Sequence, residues 1–249
     1  MIVGGSLDDA EALRQAGFGR IVNSNFPGGS ESGTAHEVDS TTERLPLDAE
    51  AMDLADDSFD LVFAHEVLHH CRSPHRALCE MLRVCRRHAV LLEPNESLAM
   101  SALTAMGFSS PYELTAVAYH LFVSGGVRES AVPNFIYRWN RREVLKTVSS
   151  FMPERTFSID AYPYWDFNAT ELDLELKKET RIGSITAILG ASNFLSFLRF
   201  VQFFLNQVPI VRRQGNKFFC CIEKQTNLQP WLAREGDRIV FRRPSSLDE

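Results

Sequence analysis

The chain has 249 residues, 45% of them hydrophobic and 23% charged, with a formal net charge of −6. These totals exclude a disordered or fibrous chain and leave no basic footprint for nucleic acid, so the expected partner is a small molecule. Five cysteines without a C-x-x-C pair exclude a disulfide framework and suit a reducing cytoplasm, and no basic stretch followed by an apolar run suggests a secretory signal.

Ile2 to Gly5 reads as a short apolar strand ending in glycines. Because Met1 runs directly into it, a leading segment is expected upstream. Asp8 to Ala16 reads as a helix, with Ala10, Leu13 and Ala16 at helical spacing, stopped by Gly17 and Gly19 before a second strand at Arg20 to Asn23. Residues 26–42, rich in Gly, Ser and Thr, carry no period and read as a loop with at most a short helix.

Asp56-Asp57-Ser58 is a turn signal, and Phe59 to Ala64 is an apolar run too short for a buried helix but suited to a strand covered on both faces. Ser73-Pro74 then caps a helix bearing Leu78, Met81, Leu82 and Cys85 on one face, with Arg83, Arg86, Arg87 and His88 near its end. Ala89 to Glu93 is another buried strand. Strands alternating with helices in this way predict a parallel α/β sheet with helices on both faces, whose ligand lies beyond the carboxyl ends of the strands. Those ends are Gly4-Gly5, Asn25, Ala64-His65 and Glu93-Pro94-Asn95.

Further on, residues 97–124 read as two helices separated by Ser109-Ser110-Pro111, a helical insertion placed to act as a lid. Asn140 to Glu143 is a capping box opening a helix that ends before Pro153, and Thr156 to Ala161 and Lys217 to Glu223 read as late strands. Between them, residues 182–211 carry one charged side chain, Arg199. Recurring Ser, Asn, Gln and Gly, with Pro209, favour a buried helix pair over a surface that touches lipid or a lipid-linked substrate.

The stretch HEVLHHCRSPH contains His65, Glu66 and His69 in H-E-x-x-H spacing, with His75 where an extended zinc-protease signature has its third ligand. That chemistry needs His65 and His69 one turn apart on a helix, yet His65 falls at a strand end. Arg72 stands where the signature requires glycine, and Pro74 opens a new helix. No metal is therefore expected here.

The stretch LPLDAEAMDLADDSFDLVFAHEVLHHCRSPHRALCEMLRVCRRHAVLLEPN resembles class I S-adenosylmethionine-dependent methyltransferases of the broad small-molecule type. The resemblance rests on an Asp-Ala pair, a D-x-S-F-D-x-V strand, an E-V-L-x-H helix start and an E-P-N strand end, covering residues 1–95 by motif and the remainder by element order. It implies an α/β fold with a Rossmann-like, doubly wound, mostly parallel seven-stranded sheet, an antiparallel last strand and a helical lid insertion. It also implies one domain over 1–249: a cofactor-binding half (1–95), a helical lid and following helix (96–150), then late strands with the apolar insertion and a C-terminal tail (151–249).

By the same resemblance, S-adenosylmethionine is the cofactor. Gly4, Gly5 and Ser6 stand at the glycine loop, Asn25 at the position that holds the ribose, Asp48 and Ala49 at the adenine pair, and Ala64 and His65 beside the methionine portion. His70, His69 or Glu93 can serve as a base for a hydroxyl acceptor. Each also has a purely structural use, as do Tyr137 and Trp139, which either line an acceptor pocket or fill the core. The implied reaction is methyl transfer to a small-molecule or saccharide acceptor, lipid-linked ones included.

Three departures weaken cofactor binding and leave the core alone. Only the first glycine of the family loop stands in register, with Asp8 at the third glycine position; Asn25 replaces an acidic residue; and the helices that family members carry ahead of the first strand are expected upstream of Met1. A catalytically degenerate binding or scaffold protein is therefore the alternative function.

Overall fold

The computed structural model describes residues 1–27, 42–178 and 181–242. Its centre is a seven-stranded sheet built from β1 (Ile2–Val3), β2 (Ile21–Asn25), β3 (Thr42–Pro46), β4 (Phe59–His65), β5 (Cys85–Pro94), β8 (Arg155–Tyr164) and β9 (Lys217–Leu228). The strand order is β3-β2-β1-β4-β5-β9-β8, parallel from β3 to β5, with β9 antiparallel to both of its neighbours. Strand order reverses between β1 and β4, and at such a switch point the diverging loops leave a crevice at the carboxyl edge.

Helices cover both faces. On one, α2 (Pro74–Val84) and α5 (Arg141–Phe151) bury Leu78, Met81, Leu82, Val144 and Val148 against Val62, Ala64, Leu91 and Ile222. On the other, α1 (Leu7–Gln15) lays Ala10 and Leu13 over Ile2, Ile21 and Phe63. Sequence caps set the helix starts: Ser6 and Asp9 form a capping box on α1, Ser73 caps α2 ahead of Pro74, and Asn140 caps α5. Trp139 is fully buried and Tyr137 packs against the same core, so these aromatics take the structural use.

Between β5 and α5 lie α3 (Leu98–Ala105), a two-stranded ribbon of β6 (Tyr112–Glu113) and β7 (Asn134–Phe135), and α4 (Leu114–Tyr119). The ribbon, absent from the sequence expectation, brings two polar residues twenty-one positions apart to one place. The expected loop over 26–42 falls outside the described residues except at its ends, and Thr42 opens β3, a strand whose mostly exposed residues left no apolar run to read. A hairpin of β10 (Leu232–Glu235) and β11 (Arg238–Phe241) follows β9.

The segment between β8 and β9 corrects the expectation of a buried helix pair. It forms α6 (Glu171–Leu176), α7 (Arg181–Leu189), α8 (Ala191–Gln207) and α9 (Pro209–Arg212). Within α7 to α9 only Gly183 and Phe194 are buried. Apolar composition did not translate into burial because the segment lies outside the sheet's two covered faces and meets the body along one side only. Asn206 exchanges hydrogen bonds with the Trp165 backbone at 2.8 and 2.9 Å, and Trp165 Nε1 donates to Val211 O.

Candidate active site

The crevice at the switch point is a cleft of about 1010 Å3. Its volume lies at the upper end for sites that enclose a small molecule. Gly4, Gly5, Ser6, Asn25, Asp48 and Ala49 all line it, as do Asp8, Val67, His70 and Arg128. The glycine turn is braced from behind: Asn23 Nδ2 donates to Gly5 O at 2.8 Å, and Gly5 N donates to Asn23 Oδ1 at 3.2 Å. Gly4 has φ +61°, and a Cβ there would stand 2.3 Å from Val67 Cγ2. Only glycine fits, leaving bare backbone against the cleft. That cradle suits close approach of an adenosyl cofactor's amino acid end.

Ala64 and His65 differ from the expectation, since neither lines the cleft. Side chains alternate along β4. Ala64 is buried in the core, and His65 turns the other way, its Nδ1 2.7 Å from Asp9 Oδ1 at the start of α1. Burial raises the Asp9 carboxyl, but its bonds to His65 and Ser6 outweigh this and hold it below the usual aspartate value. Chain direction changes at the next residue: Glu66 adopts φ +51°, a left-handed conformation uncommon outside glycine. The turn leads into a single 3-10 turn, Leu68–His70.

That turn carries two of the candidate bases, His69 and His70. Glu93, at 0% exposure, accepts from the Val67 and Leu68 amides through Oε1, at 2.9 and 2.8 Å, and its Oε2 lies 2.9 Å from His69 Nδ1. With both oxygens occupied, Glu93 is a positioning residue and not the base that its strand-end location suggested. His69 Nε2 meets Glu113 Oε2 at 3.2 Å. Burial opposes a charge on His69, but Glu93 and Glu113 on either side overcome it and push its pKa up to about 10. His69 is therefore an imidazolium near neutrality and a poor base.

His70 is its opposite. It stands on the cleft wall, and burial, followed by repulsion from His69, lowers its pKa below the usual histidine value. Asn134 Nδ2 lies 2.6 Å from His70 Nδ1, and His70 Nε2 lies 3.3 Å from Glu113 Oε2. If Asn134 donates to Nδ1, the proton sits on Nε2, aimed at Glu113. Burial raises the Glu113 carboxyl, and its bonds to His69, the charges of both histidines and Asn134 more than reverse this. Asn134 Oδ1 is buried without a partner.

His69, His70 and Glu113 place ligand atoms within 4.8 Å of one another. This is metal-site spacing, and His69 sits in it between two carboxylates, with Nδ1 toward Glu93 and Nε2 toward Glu113. The three histidines of the zinc signature do not converge: His65 faces Asp9, His69 faces Glu93 and Glu113, and His75 Nε2 lies 3.2 Å from Glu143.

At the other end of the cleft stands Arg128, from the segment between β5 and α5. Its guanidinium donates to Asp48 Oδ2 at 2.7 Å and Glu50 Oε2 at 3.2 Å and lies 4.6 Å from the centre of the Phe26 ring. Sequence reasoning missed Glu113, Asn134 and Arg128 because each is a single polar residue in a segment read as helix or left unassigned. Gly125-Gly126 beside Arg128 was the available signal. A Cβ at Gly126 would stand 1.9 Å from Val132 O, so the chain doubles back there and carries Arg128 to the cleft wall and Asn134 to His70.

Residues 10–92 match the family model described as a methyltransferase domain. Among curated proteins none matches the sequence. A chain in the complex of the Haloferax volcanii methyltransferase activator Trm112 with a methyltransferase is 15% identical, over 90% of this chain and 79% of that one, at a TM-score of 0.51. YcgJ of Bacillus subtilis is 12% identical over 91% of each chain, at 0.46. The Haemonchus contortus phosphoethanolamine N-methyltransferase 2, solved with S-adenosylhomocysteine, is 9% identical over 91% of this chain and 48% of that one, at 0.47. At such identities the first likeness speaks for the fold alone.

Proposed function

We propose that this chain, whose residues 10–92 match the methyltransferase-domain family model, is a class I S-adenosylmethionine-dependent methyltransferase that methylates a hydroxyl of a small-molecule or saccharide acceptor, lipid-linked acceptors included. The cofactor, when bound, supplies a methyl group already activated on a sulfonium, which leaves the protein to orient the acceptor and take up one proton. Gly4, Gly5 and Ser6 would hold its amino acid end, Asn25 its ribose and Asp48 with Ala49 its adenine. Arg128 and adenine then share the Asp48 carboxylate.

The observation that carries the reading is His70. It is a neutral imidazole on the cleft wall with a carboxylate behind its far nitrogen, the arrangement in which Nδ1 takes a proton while Glu113 stabilises the resulting imidazolium. An acceptor hydroxyl that displaces the Asn134 amide from Nδ1 meets that base directly. The unpartnered Asn134 Oδ1 supports a donor arriving from outside. His69 and Glu93 hold the turn in place, and an amine acceptor with a free lone pair would not need the dyad.

The test incubates the chain with S-adenosylmethionine and a panel of hydroxylated small molecules and saccharides, free and lipid-linked, and follows release of S-adenosylhomocysteine. His70→Ala is expected to lower kcat by about 10²- to 10⁴-fold while S-adenosylhomocysteine still binds by calorimetry. Full turnover by this variant ends the base assignment. Failure of S-adenosylhomocysteine to bind the unaltered chain returns it to the binding or scaffold alternative.

A further inference from the structure

Helix α8 has two apolar faces, and the fold uses one. Phe194 faces the body and is buried, whereas Phe197, Phe200, Phe203 and Phe204 are exposed, Phe200 by 63%. Spacings of three and four residues from Phe197 to Phe200 to Phe204 place these rings on one stripe. Exposed apolar residues also flank the stripe along the chain, Ile188 at 83% in α7 and Ile210 at 78% in α9. Isolated exposed apolar residues are ordinary, but a run of this length across three consecutive helices is not.

Its charge says what covers it. Residues 181–222 contain no Asp or Glu, while Arg199, Arg212 and Arg213 are exposed and form no ion pair among the described residues. A second copy seated face to face would oppose arginine to arginine with no carboxylate to relieve them. A surface of negative headgroups over hydrocarbon meets the same face with attraction at the arginines and burial at the phenylalanines.

Geometry argues against a straight span. Among the described residues no single helix is long and apolar enough to cross a bilayer, and α7 and α8, which pass that test only together, are bent by 109°. So sharp a bend suits helices that lie along an interface. The Asn206 and Trp165 hydrogen bonds tie it to the end of β8, and α6 is bonded to lid helix α4 through Asp173 and Thr115 at 2.6 Å.

We infer that α7 to α9 form a monotopic docking surface for an anionic phospholipid bilayer. This inference does not depend on the methyl-transfer reading. It is tested with the full chain by co-sedimentation with vesicles of phosphatidylglycerol and phosphatidylcholine, and with vesicles of phosphatidylcholine alone, at low and high salt. Binding is expected to the mixed vesicles, to fall with salt, and to be weaker on the neutral ones.

Phe200→Ser with Phe203→Ser is expected to weaken binding at least tenfold without changing the circular dichroism spectrum. Arg199→Gln, Arg212→Gln and Arg213→Gln should each lower affinity for the mixed vesicles by about fivefold. Absence of binding to either vesicle overturns the proposal. So does a concentration-dependent dimer in analytical ultracentrifugation that the phenylalanine substitutions abolish, because the face would then belong to a second copy.

Discussion

The carboxyl end of β5 and the α7 to α9 insertion break the same rule in opposite directions. At the first, a carboxylate and an imidazolium are buried where apolar side chains are usual; at the second, a stripe of phenylalanines stands in water. Burying charge is tolerable only when each polar atom is paired, and around Glu93 both oxygens are. Exposing aromatic surface is tolerable in isolation but unfavourable in a patch, unless something covers it. One region has its compensation within the chain, and the other looks outside for it.

The contrast breaks most visibly at Glu93. Glu93→Ala leaves two amides and an imidazolium buried without their acceptor, so urea denaturation is expected to show a loss of about 3–5 kcal/mol. A loss under about 1 kcal/mol would mean that the network is not held as tightly as its distances imply. His69 sharpens the same side through pH. Its folded pKa of about 10 lies above the ordinary histidine value of 6.5, so its stabilisation is fully present below about pH 6.5 and is lost as pH rises toward 10. Thermal unfolding should therefore show stability declining over that window by at most about 1.4 kcal/mol per pH unit from this group, with the slope removed in His69→Gln. An unchanged slope in that variant would show that other groups carry it.

The smallest effect belongs to the insertion. Phe200→Ser touches a ring that is already mostly in solvent, so its change in folding stability is expected within about 0.5 kcal/mol by the same urea measurement. A loss of several kcal/mol would place Phe200 in the core and erase the contrast between the two regions.

The sequence by itself determined the sheet and its ends. Apolar runs such as Phe59 to Ala64 and Ala89 to Glu93, bounded by Asp57-Ser58 and Ser73-Pro74, admit few local conformations, and their alternation with capped helices predicts a parallel sheet covered on both faces. It also brought Gly4, Gly5, Ser6, Asn25, Asp48 and Ala49 to one crevice, because residues at the carboxyl edge of a parallel sheet share a location whatever lies between them. What only the tertiary structure decided are matters of environment. His69 and His70 are adjacent and chemically identical in the sequence, yet one is pinned between carboxylates from β5 and β6 and the other faces the cleft. The apolar run at 182–211 reads alike whether buried or exposed, since composition records what a side chain prefers and not which neighbours the fold supplies.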